Sequence, residues 1–257
     1  MPLLQTRNVT VRFGGVIAAS DVSLSAEAGQ ITGLIGPNGA GKTTVFNVIS
    51  GLQPPSEGRV LIDDQDVTSL PVHKRARLGL ARTFQRLETF SSLTVRENVQ
   101  VAAEARRRYS KERYNVAELI DSILELAGLA HVADVAANTL PTGLARLTEL
   151  ARALAIKPRF LLLDEPGSGL DSDESEAFGR LLLDLAAEGQ GVLIVEHDMD
   201  LIMEVCSWIH VLDFGIHIAD GAPDAIRNNP KVQKAYLGTD ESGAILDEQT
   251  RELKVRP

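Results

Sequence analysis

The 257-residue chain has one cysteine, too few basic residues to balance its acidic ones, and no long apolar run. Each shortage excludes something. A lone Cys206 cannot close an internal disulfide, which suits a reducing compartment, and it reads as a small core residue rather than a nucleophile. With 26 Lys and Arg against 35 Asp and Glu, the net charge of −9 argues against a nucleic-acid partner, whose phosphates need a basic excess to neutralise them. No uninterrupted apolar stretch reaches bilayer-spanning length, and Met1–Asn8 lacks the organisation of a signal peptide. Work at a membrane would therefore require another protein to hold this one there. What the chain does have is 44% apolar residues, enough for a core, and a length that suits one large domain or two small ones.

The segment Gly36-Pro37-Asn38-Gly39-Ala40-Gly41-Lys42-Thr43-Thr44 follows the pattern G-x-x-x-x-G-K-[ST]. Ile31–Ile35 before it reads as a buried strand and Val45–Ile49 after it as a helix, the setting in which that pattern wraps nucleotide phosphates. Small residues let backbone N–H groups turn toward an anion. The helix N-terminus adds partial positive charge and Lys42 a full one. Thr43 offers a hydroxyl to a magnesium ion, and Thr44 is a further hydroxyl for a phosphate.

Residues 7–34 alternate apolar and polar in short runs broken by Gly14-Gly15 and Gly29, a strand-rich start. Arg59–Asp63 reads as another strand. From Val95 to Leu154 the chain is rich in Ala, Leu, Glu and Arg and reads as helical. Within it Val116, Leu119, Ile120, Ile123, Leu124 and Ala127 keep helical spacing up to Gly128. Phe160–Leu163 and Val192–Val195 look like buried parallel strands, with a helix marked by Phe178, Leu181, Leu182 and Leu185 between them. The chain from Gly238 onward is polar and is expected to be partly disordered.

Leu161-Leu162-Leu163-Asp164-Glu165-Pro166 supplies a second chemical signal. Carboxyl ends of parallel strands face the ligand crevice, so an acid that closes a buried strand can meet the phosphate loop. Asp164 is the candidate magnesium-side carboxylate and Glu165 the candidate general base that orients water.

Together these motifs resemble the nucleotide-binding subunit of an ABC transporter, over nearly the whole length. The resemblance implies an α/β fold: a P-loop NTPase (RecA-like) core with an antiparallel β subdomain and an inserted α-helical subdomain. The ATPase domain would span residues 1–238, with the helical insertion at about 86–155, followed by a polar tail at 239–257. It implies ATP and Mg2+ as cofactors. Phe13 would stack on adenine. Gln85, in Ala81-Arg82-Thr83-Phe84-Gln85, would join Thr43 and Asp164 around magnesium and sense the membrane partner. Asp171, in Ser168-Gly169-Leu170-Asp171, would communicate across a dimer, and His197 would steady the γ-phosphate beside Glu165 and Lys42. Taken singly, Phe13 reads as a core residue and Gln85 and His197 as ordinary polar ones.

The resemblance narrows. Ala81–Gln85, Leu140-Pro141 before a glycine, Asp213-Phe214-Gly215 and Ala235-Tyr236-Leu237-Gly238 are similar to the branched-chain and hydrophobic amino-acid uptake family. Asp213-Phe214-Gly215 reads as a turn, since the rest of a kinase motif set is absent. Leu70–Gly79 also resembles lipopolysaccharide-export ATPases, which keeps that alternative open. One landmark departs from the family. Where Leu-Ser-Gly-Gly-Gln is usual, the chain has Leu140-Pro141-Thr142-Gly143-Leu144. Gly143 can still present an N–H to a partner's γ-phosphate, but side-chain hydrogen bonds around it are lost. At about 1.5–3 kcal/mol for a bond to a charged group, that loss predicts turnover slowed roughly ten- to a hundredfold.

The implied protein is an ATP-hydrolysing subunit that powers a membrane transporter from the cytoplasmic face as a peripheral protein. Its partners would be a second ATPase subunit in a homo- or heterodimer, transmembrane permease subunits and an extracytoplasmic substrate-binding protein. Two rival classes stand beside it. A soluble relative acting in DNA repair or on ribosomes is disfavoured by the absence of a long coiled coil or second cassette. A signature-degenerate module that binds ATP and hydrolyses it weakly is disfavoured by Glu165 and His197.

Overall fold

The computed structural model describes residues 3–237; the polar tail expected at 239–257 lies outside them. The chain opens on β1 (Leu3–Phe13) and β2 (Val16–Glu27), an antiparallel hairpin closed by Gly14-Gly15. There follow β3 (Ile31–Ile35), α1 (Lys42–Ser50), β4 (Glu57–Ile62), β5 (Gln65–Asp66), α2 (Val72–Arg77) and β6 (Leu80–Arg82). Next come α3 (Val95–Arg107), α4 (Val116–Leu126) and α5 (Thr142–Leu154). The last part runs β7 (Phe160–Asp164), α6 (Ser172–Ala187), β8 (Gly191–Val195), α7 (Met199–Val205), β9 (Trp208–Asp213), β10 (Ile216–Gly221), α8 (Pro223–Arg227) and α9 (Pro230–Leu237).

Two sheets result. The first, ordered β2-β1-β4-β5, is antiparallel throughout. The second, ordered β10-β9-β3-β8-β7-β6, is parallel except at β10. The apolar runs of β7 and β8 are continuous because both faces are covered. On β7, Leu161 and Leu163 face one core while Phe160 and Leu162 face the other; on β8, Val192 and Ile194 oppose Leu193 and Val195 in the same way. The second core holds α1 between the sheets through Val45, Phe46, Val48 and Ile49. The phosphate-loop helix is thus anchored through its apolar face, while Thr43 stays exposed.

The stretch Val95–Leu154 is not one helical block. It breaks into α3, α4 and α5, and the breaks follow local chemistry. Thr94 and Glu97 form a reciprocal capping box that starts α3, and Asn115 caps α4. Gly128, at φ 68°, lies two residues past the end of α4. Pro141 takes an extended conformation just ahead of α5. Trp208–Asp213 and Ile216–Gly221 form a hairpin whose two-residue turn, Phe214-Gly215, has positive φ at both positions (45° and 78°), so Asp213-Phe214-Gly215 is a turn as its composition predicted.

Candidate nucleotide site

β3 delivers the chain into the glycine loop and α1 takes it away. No side chain caps the N-terminus of α1, so its first-turn amides are left to face an anion. Two glycines are demanded by contact. A Cβ on Gly36 would lie 2.0 Å from the Leu212 carbonyl oxygen, and one on Gly41 would lie 2.4 Å from that of Ala18. The loop can approach β9 and β2 this closely only without side chains there. Lys42 is buried and its Nζ donates to the carbonyls of Gly36 and Pro37 at 2.5 and 3.0 Å, which holds the ammonium over the loop. The loop opens on a cavity of about 480 Å³ lined by Asn38–Thr44, Val16, Ile17, Ala18, Gln85, Glu165, Phe214 and Gly215.

Opposite the loop stands the end of β7. Asp164 is 1% exposed and does not line the cavity itself. Arg82, on neighbouring β6, donates to its Oδ2 at 2.9 Å, while Oδ1 is buried and accepts no hydrogen bond. Burial raises the Asp164 pKa above the ordinary carboxylate value; Arg82 and Lys42 pull it back down, and Glu165 pushes the same way as burial.

Glu165 adopts φ 50°, rare for a side chain of its kind, and its N–H is tied to the Val195 carbonyl at 2.9 Å. That turn aims its carboxylate at two donors: Gln85 Nε2 at 2.9 Å on Oε2 and His197 Nε2 at 2.8 Å on Oε1. Three residues far apart in sequence thus meet on one carboxylate.

A divalent cation fits these residues. Thr43 brings a hydroxyl, Gln85 keeps its amide oxygen while its nitrogen serves Glu165, and Asp164 has the orphaned Oδ1. All are hard oxygen donors of the kind Mg2+ takes.

The remaining candidates fall elsewhere. Phe13 is 52% exposed at the hairpin tip and is not part of the cavity's lining, where Val16 and Phe214 stand instead. Pro141, Thr142, Gly143 and Leu144 also lie outside this chain's own cavity. They border the Ser168–Asp171 loop: a Cβ on Gly143 would meet Leu170 and Glu174, and one on Gly169 would meet Thr142. Asp171 caps α6 in a reciprocal box with Glu174. Leu144 is half-buried and packs against the larger core.

Sequence reasoning left several contributors without a role. Arg82 is one; besides Asp164 it reaches Asn47 and Ser50 of α1 at 2.7 and 3.0 Å. Glu196 is buried and accepts the N–H groups of Gly167 and His197, so it shapes the loop that follows Glu165; burial raises its pKa, and Glu165 adds to the rise. On α5, Arg146 donates to the carbonyls of Phe84 and Gln85, Arg152 donates to the carbonyl of Glu88, and Glu149 accepts the Glu88 N–H. The only sequence signal for these was the presence of charged residues in an otherwise apolar helix, which does not say what they touch.

A glycine loop before a buried helix, opposed by a strand-end acid and a donor-held glutamate, defines a phosphate-loop nucleoside-triphosphate-binding protein. Residues 19–168 match the family model described as ABC transporter, and residues 217–242 match that of the branched-chain amino acid ATP-binding cassette transporter. The chain belongs to the ABC transporter family, as an ATP-binding subunit. It is 40% identical to the high-affinity branched-chain amino acid transport ATP-binding protein BraF of Pseudomonas aeruginosa, over 92% of this chain and 98% of that one. Identity to LivG of Escherichia coli, of the same description, is 37% with the same coverage. The lipopolysaccharide export system ATP-binding protein LptB of Haemophilus influenzae is 36% identical over 93% of this chain and 98% of its own. Among solved structures, the ADP conformation of the cassette MJ1267 superposes with a TM-score of 0.83 at 32% identity, covering 93% of this chain and all of that one. The dimeric cassette MJ0796 bound to ADP and Pi gives 0.76 at 27% identity, covering 86% and 98%.

Replacing Arg82 with methionine leaves a buried carboxylate without its cation. The expected cost is about 3–5 kcal/mol. The folded-state pKa of Asp164 is raised, so the folded state binds more protons than the unfolded chain, and stability falls as pH climbs from the ordinary carboxylate value through the folded one. Without Arg82 that pKa rises further, so the penalty of Arg82→Met is expected to be larger at about pH 7.5 than at about pH 4.5. Urea unfolding at both pH values measures it, and equal penalties would contradict the role given to the pair.

Proposed function

We propose that this chain is the ATP-hydrolysing subunit of an uptake transporter for branched-chain or other hydrophobic amino acids. The observation that carries its chemistry is the Glu165 carboxylate, oriented by Gln85 and His197 at the rim of the phosphate-loop cavity. Lys42 and the loop amides of residues 36–44 hold the phosphates. Glu165 orients water for in-line attack on the γ-phosphorus and takes its proton as the bond to the bridging oxygen of ADP breaks; His197 steadies the γ-phosphate. Thr43, Gln85 and Asp164 would hold Mg2+, which when bound neutralises charge on the phosphate oxygens. Phe13 and Val16 at the hairpin tip flank the adenine. The amino-acid cargo is supported by the BraF and LivG likenesses and by the match at residues 217–242.

The working unit is a head-to-tail dimer. Support comes from the signature segment, which lies outside its own chain's cavity beside Asp171, and from the dimeric relative. Each copy offers Pro141–Leu144 to the other's nucleotide, and Asp171 relays closure across the seam. An extracytoplasmic binding protein delivers the cargo to permease subunits, which hold this chain peripherally at the cytoplasmic face; among the described residues no helix is long and apolar enough to cross a membrane. The permease contact is supported by an apolar depression lined by Leu52, Val72, Leu80, Phe84 and Ile156, with Leu87 and Phe90 exposed nearby in sequence. It adjoins the Gln85 segment that α5 grips by its backbone, so movement of a docked permease reaches Gln85 directly. The likeness to LptB supports a second reading, export of a lipid.

Three outcomes are expected. Glu165→Gln retains ATP affinity, loses roughly 10²–10⁴-fold in steady-state phosphate release, and accumulates as an ATP-bound dimer on size exclusion; wild-type turnover would remove Glu165 as the base. Leu144→Gln raises turnover roughly ten- to a hundredfold by restoring a hydrogen bond around the signature loop, whereas equal rates would show that the substituted segment costs nothing. Vesicles carrying this subunit with its permease and binding protein accumulate leucine only with ATP; ATP-driven lipid transfer without amino-acid uptake would establish the second reading instead.

A further inference from the structure

Beyond the nucleotide site, the β9–β10 hairpin gathers His210, His217 and Asp220, with one potential ligand atom from each within 4.8 Å of the others. The gathering depends on an irregularity. Residues 217 and 220 of a regular strand would face opposite sides of the sheet. The register between β9 and β10 shifts between His217 and Ala219, so that His217 lies opposite Leu212 and Asp220 opposite His210. Leu212 and His210 are two apart on β9 and share a face, so the bulge brings both β10 side chains to that face.

Two of the three separations lie near that of ligands on a shared ion, and the third is within 4.8 Å. His210 Nδ1 and His217 Nε2 are 3.1 Å apart, and His217 Nε2 lies 3.8 Å from Asp220 Oδ1. Ligand atoms about 2.0–2.2 Å from a tetrahedral zinc are separated from one another by roughly 3.4 Å. His210 is 4% exposed and its other nitrogen, Nε2, lies 3.1 Å from the Ser25 carbonyl oxygen and 3.3 Å from the Ser25 amide nitrogen on β2; in the tautomer that donates to the carbonyl, Nδ1 is the nitrogen that keeps its lone pair. A ring N–H donated to a backbone carbonyl is the usual support of a metal-binding histidine: it leaves the far nitrogen's lone pair free and fixes the ring plane. Asp220 is solvent-exposed, which leaves room for a water in the fourth position.

We propose that His210, His217 and Asp220 form a three-residue site for a divalent transition metal of the zinc type. Two imidazoles and one carboxylate select zinc and its neighbours over magnesium or calcium. The ion ties β10 to β9 next to the phosphate loop. His210 lies opposite Leu34 on β3, one residue before the strand's end, and the hairpin's turn donates the Gly215 N–H to the Ala40 carbonyl at 3.0 Å. The site is separate from the Mg-nucleotide position and shares no residue with it.

The test is calorimetric titration of the untagged full-length chain, freed of metal by chelation, with Zn2+ alone and no nucleotide, together with the visible spectrum of its Co2+ form. One ion per chain with a tetrahedral Co2+ spectrum is expected. His217→Ala and Asp220→Asn should each weaken binding by roughly ten- to a hundredfold or more, with an unchanged far-UV spectrum and unchanged ATP affinity showing that the fold is kept. His197→Ala, which alters the other exposed histidine–carboxylate pair, should leave zinc binding intact. Absence of zinc binding, binding unaffected by His217→Ala, or binding lost in His197→Ala would each overturn the proposal.

Discussion

The ion pair between Arg82 and Asp164 is the contact that joins the strand ends to the phosphate-loop helix. Asp164 ends a strand with neighbours on both sides, and its carboxylate has almost no access to water. Arg82 meets it from the adjacent strand and at the same time reaches Asn47 and Ser50 on the phosphate-loop helix. Its guanidinium also sits over the rings of Phe46 and Phe84, at 5.6 and 5.0 Å from their centroids. One side chain therefore joins the acid, the helix that carries Lys42 and the segment that carries Gln85. A buried pair of this kind adds little net stability, because desolvation offsets attraction. What it contributes is position: Asp164 keeps one oxygen committed to Arg82 and the other buried without a hydrogen-bond partner.

Glu165 follows Asp164 directly and is oriented by its own backbone. The next peptide turns into a left-handed conformation, bonds back to β8 and points the carboxylate at Gln85 and His197. Buried Glu196 braces the far side by holding the amides of Gly167 and His197. Gln85 is held in turn from below, since Arg146, Glu149 and Arg152 of α5 grip the backbone of residues 84–88. The helix that begins with the signature segment is thus the one that supports the glutamine segment. The grip consists of side chains of α5 bonded to backbone groups of the glutamine segment. On the opposite flank, the β9–β10 hairpin closes the cavity with Phe214-Gly215 and carries the histidine pair at its base.

Much of this was legible from the chain. The glycine loop between a buried strand and a helix, the acidic pair closing an apolar run, and the alternation of β1 and β2 are local patterns with local causes. Asp213-Phe214-Gly215 was readable as a turn for the same reason. Other parts were not. Residues 95–154 read as helical, with one helix closing at Gly128 that matches α4, but the bounds of α3 and α5 and the caps at Thr94 and Asn115 were not legible. Nothing in the order of residues pointed to Arg82 as the partner of Asp164. Phe13, which alone would pass for a core residue, is exposed.

By itself the amino-acid order determined where the glycine loop, the buried strands and the strand-end acids fall, because glycine spacing, strand period and strand-end acids act over a few residues. Only the tertiary structure decided who partners whom. Arg82 meets Asp164 because β6 lies beside β7, Gln85 and His197 converge on Glu165 because β7 lies between β6 and β8 in the sheet, and His217 reaches His210 because one strand slips its register. Each of those pairings rests on sheet order or on a bulge, and neither is written in the side-chain chemistry of the residues it brings together.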